Sequence, residues 1–91
     1  MSIPFTQYLR PDGRRQQVSV ERSPEIEAIA QEIRAKGYVF TCEVLLTGQV
    51  SLAVESPHED EGDIDIEIVQ NGPGVGEAVD KLVKRVIKAV H

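Results

Sequence analysis

Five of the carboxylates between residues 43 and 67 raise the first question of chemistry. Asp63, Asp65 and Glu67 alternate with Ile64, Ile66 and Ile68. Strand geometry sends alternate side chains to opposite faces. With the isoleucines inward, the three acids project outward at steps of about 7 Å. Glu43 and Glu55 join that outer face if the neighbouring strands pair as a meander. Such an array can imitate a row of phosphates and dock a basic protein. The same pattern also describes a solvated face whose acids discourage edge aggregation. Glu59, Asp60 and Glu61 extend the charge into the preceding loop. Calcium is a poor fit. With Gly62 as the sixth position of an EF-hand loop, Pro57 falls at the first, where an Asp is needed.

The second candidate is the glycine loop "NGPGVG", Asn71 to Gly76. A dinucleotide fingerprint needs G-x-G-x-x-G between a strand and a helix, then a further parallel strand. Gly72, Gly74 and Gly76 give G-x-G-x-G instead, and Glu77 stands where the third glycine belongs. The Walker A ending G-K-[ST] is absent. Turn-making explains these residues, because glycine and proline punctuate chain elements. Free amides at the helix start still leave an anion site open as an alternative.

Arg10, Arg14 and Arg15 crowd a hairpin tip around Pro11-Asp12-Gly13. They are ordinary solvated charges, or they fold onto the acidic sheet, or they grip a phosphate or carboxylate bidentately. Cys42 shares the apolar phase of its strand and reads as a buried, inert thiol. A nucleophile needs a base, and the two histidines serve poorly: His58 lies in a polar loop and His91 is the last residue. No Cys/His spacing suggests zinc. Neither a catalytic constellation, a metal site nor a cofactor is expected.

The elements that must position these groups are well marked. "QYLRPDGRRQQVSV" reads as a β-hairpin around a Pro-Asp-Gly turn. "RSPEIEAIAQEIRAKG" reads as a helix, with Ser23 as cap, Pro24 in the first turn and Gly37 just beyond the end. Three strands follow. "YVFTCEVLL" turns Tyr38, Phe40, Cys42, Val44 and Leu46 to one face. The Thr47-Gly48 turn leads to "QVSLAVE", with Val50, Leu52 and Val54 inward, and then to "DIDIEIV". Val79, Leu82, Val83, Val86, Ile87 and Val90 give the terminal helix a 3.6-residue apolar stripe. The expectation is one α+β domain over residues 1–91, of order β-β-α-β-β-β-α. An N-terminal hairpin (1–22) adjoins an α-β-β-β-α core (23–91). The sheet is expected to be an antiparallel meander with two helices on one face.

That core order matches double-stranded RNA-binding domains, but their basic surface is missing. The place of their basic cluster reads "GPGVGEAVDK". Net charge is −5, and residues 58–70 hold six acids with no Lys or Arg. Direct nucleic-acid binding is therefore not expected. No apolar run approaches a membrane span, and the first ten residues lack a signal-peptide core. One cysteine makes no internal disulfide, so a reducing, cytoplasmic setting is expected.

The stretches "QYLRPDGR", "TGQVSL" and "NGPGV" resemble small uncharacterised proteins carried by phages and prophages. The resemblance rests on turn signals and implies a short, non-enzymatic accessory role with no assigned site residues. The leading expectation is a protein-interaction module, an accessory or inhibitor of a nucleic-acid-handling protein. Its acidic face, Glu43, Glu55, Asp63, Asp65 and Glu67, would meet a basic partner. The alternatives are a binder of a small anionic or nucleotide-like ligand, using Gly72, Gly74, Gly76 and the hairpin arginines, and a structural homo-oligomer such as a homodimer. Salt separates the first from the last, because charged docking weakens with salt and apolar assembly does not.

Overall fold

The computed structural model of the chain describes residues 2–8, 15–58 and 60–90. The order is β1 (Ser2–Tyr8), β2 (Arg15–Glu21), α1 (Pro24–Ala35), β3 (Val39–Val44), β4 (Gln49–Glu55), β5 (Asp63–Gln70) and α2 (Val75–Val90). This is the α+β order expected. One five-stranded sheet runs β2-β1-β3-β4-β5.

The meander β3-β4-β5 and the hairpin β1-β2 are antiparallel. The seam that joins them, β1 against β3, is parallel. The sheet is therefore mixed, where an antiparallel sheet throughout was expected. The reason is the route of the chain: after β1 it passes out to the edge strand β2, and α1 then carries it back to β3. A parallel pair needs such a crossover.

Helix α1 begins where Ser23 accepts the Ile26 amide, with Pro24 in the first turn. It ends with the Gly37 amide donating to the Arg34 carbonyl (2.9 Å), and Gly37 sits at φ +95°. That left-handed conformation suits a residue without Cβ. Both helices pack on one face of the sheet. Ile26, Ala30 and Ile33 of α1 and Ala78, Val79, Leu82, Val83 and Val86 of α2 meet Ile3, Phe5, Phe40, Leu52 and Val54. Phe5 and Phe40 meet edge to face, with ring centroids 5.4 Å apart. Leu82, Val79 and Val83 are completely buried, so the terminal stripe carries much of the core.

The second departure lies in β5. Val54 pairs with Asp65, while Glu55 pairs with Asp63. Two residues of β5 thus oppose one of β4, and Ile64 is the extra residue of a bulge. The bulge resets the alternation. Ile64 still packs against the core, but every later residue is turned over. Asp65, Glu67 and Val69 pair with Val54, Leu52 and Val50 and face the helices. Ile66 and Ile68 pair with Ala53 and Ser51 and face outward, 47% and 53% exposed.

Candidate functional site

Cross-strand partners share a face, so the registers map the uncovered side of the sheet in rows. One row runs Val39, Glu55, Asp63, with the pair Ser19 and Pro4 on β2 and β1 beyond the paired residues of the seam between β1 and β3. The next runs Gln17, Thr6, Thr41, Ala53, Ile66. The third runs Arg15, Tyr8, Glu43, Ser51, Ile68. No helix covers these residues. Val39, Ile66 and Ile68 expose about half their surface to solvent there. Thr41 and Ala53 are buried on this side although neither helix lies above them. On β3 and β4 the middle row is therefore a floor of small side chains. A shallow groove of about 340 Å³ opens along it, with Tyr8, Glu43, Ser51, Glu55 and Asp63 among its lining residues. Glu55 and Asp63 are exposed. At the opposite end the Arg15 guanidinium lies 5.3 Å from the Tyr8 ring centroid.

The expected five-acid face is thus divided. Glu43, Glu55 and Asp63 lie on the open side. Asp65 and Glu67 do not; they point toward α2 and hold Arg85. The arginine donates from Nε to Asp65 Oδ2 (2.9 Å), from Nη2 to Asp65 Oδ1 (3.1 Å) and from Nη1 to Glu67 Oε2 (2.7 Å). It also donates to the Ile66 carbonyl (3.3 Å), and the Ile66 amide donates to Asp65 Oδ1 (2.8 Å). The guanidinium beside Asp65 holds that carboxyl below the usual carboxylate range. The two acids hold the Arg85 pKa above its ordinary value. These groups close an edge strand. Side chains occupy both backbone polar groups of Ile66, which opposes the addition of a further strand there.

The glycine loop is accounted for residue by residue. Gly72, at φ +145°, turns the chain, and its carbonyl accepts the Val75 amide. Gly74 sits close against Val69, and its carbonyl accepts the Ala78 amide. Gly76 lies in the first turn of α2, where a Cβ would collide with the Arg22 guanidinium. Arg22 crosses that gap to hold Asp80, donating from Nε (2.7 Å) and from Nη2 to the two carboxylate oxygens. That hydrogen bonding raises the Arg22 pKa. The loop therefore joins β5 to α2 and lets β2 reach the helix. Of the hairpin arginines, Arg15 is at the start of β2, the opposite end of that strand from Arg22. Arg10 and Arg14, with the Pro11-Asp12-Gly13 turn, lie outside the described residues, as do Glu59 and His91.

Cys42 is buried, and burial pushes its thiol pKa up. It adjoins an apolar groove of about 210 Å³ on the helix side, beside Val18, Val44, Val50 and Val75. Val44 is half exposed at that end and Leu46 fully exposed in the following turn. Both were expected inward; β3 ends at Val44, so Leu46 no longer has strand geometry to direct it. Among the described residues, no three His, Cys, Asp or Glu side chains are placed to hold a metal ion. No described helix is long and apolar enough to cross a membrane.

No protein-family model, curated protein or solved structure matches this chain.

Proposed function

We propose that this protein is a non-enzymatic interaction module that receives a protein partner on the uncovered face of its sheet. One observation carries the reading. Val39, Ile66 and Ile68 stand half exposed on a face that neither helix covers. Solvent-facing strands ordinarily carry polar residues there. A contiguous apolar patch with a polar rim is what a docking surface requires. Glu55 and Asp63 on the rim favour a partner carrying Lys or Arg. The partner reading therefore keeps the acidic character expected from sequence, but gives it fewer carboxylates and adds exposed apolar side chains.

The test is position-specific photo-crosslinking in native cells. A photoreactive residue at Ile68 should give a discrete adduct with one partner, and the same residue at the exposed Lys81 of α2 should not. Adducts from Lys81 alone would place the interaction on the helical side and end this reading.

A further inference from the structure

Resting on that reading, we infer that the element received by the open face is a basic amphipathic α-helix of the partner, laid across β3, β4 and β5. Three observations carry the choice. The first is shape. The floor, Thr41 and Ala53, is built of small, buried side chains. The rows on either side stand four residues apart along a strand, about 13 Å. A helix with its side chains is about 10–12 Å across, so it fits between those rows.

The second is charge. Glu55 and Asp63 line the groove on one side of the floor, and among the described residues no Lys or Arg lines it; Arg15 lies beyond Tyr8 at the far end. Ile66 and Ile68 supply the apolar contact at the β5 end. The matching helix presents an apolar stripe with Lys or Arg beside it. A second copy of this chain matches poorly, because its own face is acidic and its net charge is −5.

The third is the closed edge. An extended partner would add to β5 through backbone hydrogen bonds, but Asp65 and Arg85 already occupy the Ile66 amide and carbonyl. The accessible surface is the face, not that edge.

The experiment uses the full chain, isotope-labelled for NMR, and three synthetic peptides. One is a Leu/Lys amphipathic helix of about 18 residues, long enough at 1.5 Å per residue to cross the three strands. One is a scramble of the same composition without a continuous apolar stripe. One is an alternating Val/Lys strand former. The amphipathic helix should give saturable shifts at Thr41, Ser51, Ala53, Ile66 and Ile68. It should bind at least about tenfold tighter than the scramble, a difference of about 1.4 kcal/mol. Glu55→Gln with Asp63→Asn should weaken it several-fold and flatten its salt dependence. Equal binding of helix and scramble would mean non-specific charge attraction and overturn the inference. Shifts on the open face from the Val/Lys peptide alone would overturn the helix but keep the docking face. No open-face shifts from any peptide, or shifts confined to α1 and α2, would overturn both.

Discussion

Replacing Arg85 with Gln should destabilise the protein although the arginine sits at the surface. Its side chain is 43% exposed, against 27% for Asp65 and 24% for Glu67. Solvent therefore screens the pairs, and each is worth roughly 0.3–1 kcal/mol. Two pairs, together with the uncompensated repulsion between the two acids left on neighbouring positions of one strand face, bring the loss to about 1–2 kcal/mol. For a domain of this size that is a fall in Tm of roughly 5–15 °C. The pH dependence has a definite sign. The folded pKa of Asp65 is depressed by Arg85. Its contribution is complete above the unfolded value of about 3.9 and is lost as pH falls through the folded pKa. Thermal unfolding of parent and variant at several pH values reads this directly. The gap should be full at pH 7 and close progressively below about pH 4. A second readout is sedimentation velocity: with the Ile66 carbonyl uncapped, the variant should self-associate more than the parent. Equal Tm values at pH 7, or a gap that persists unchanged at low pH, would refute the reasoning.

Leu82→Ala should cost about 2–5 kcal/mol, because the side chain is wholly buried between helix and sheet; chemical denaturation measures it. Cys42 should react slowly with thiol reagents in the native state and rapidly in denaturant, since burial shields the sulfur and raises its pKa. Gly76→Ala should uncouple Arg22 from Asp80, because the new methyl group occupies the guanidinium's position. A helical alanine gains about 0.5–1 kcal/mol over glycine, so the single variant should be nearly neutral. In a double-mutant cycle, Arg22→Ala should then cost nothing further.

Much of the fold was legible in local patterns. Ser23, Pro24 and Gly37 mark both ends of α1, and the apolar stripe of α2 has the period of a helix. The element order follows from those signals and the turns between them. The parallel seam between β1 and β3 was not legible, because strand order depends on where α1 returns the chain and not on any residue within it. The acidic site was misread for a more specific reason. Strict alternation over "DIDIEI" put all the isoleucines inward, but the bulge at Ile64 turns the rest of the strand over. A pairing irregularity between two strands leaves no mark on the periodicity of either. Asp63 kept its place on the open side because it precedes the slip, and Glu55 because the extra residue lies in β5 and leaves the alternation of β4 intact. Arg85 and Arg22 were missed because their partners lie far along the chain, 18–20 and 58 residues away. Local charge spacing detects pairs within one helix and has no means of finding these. The third glycine of the loop carried a hint, since a glycine inside a helix has a cost that close packing can justify.

We propose the open sheet face, with Ile66 and Ile68 on its edge strand, as the place where a protein partner binds. Quantitative co-purification from the native host tests it most directly, comparing the parent with an Ile66→Lys, Ile68→Lys double variant. Both side chains are about half exposed, so the variant should lose little stability, about 1 kcal/mol or less per site. The face, however, loses its exposed isoleucines and gains two cations that repel a basic partner. A partner retained by the parent should be reduced at least about tenfold in the variant, with the fold intact by thermal unfolding. Undiminished retention by a folded double variant would contradict it.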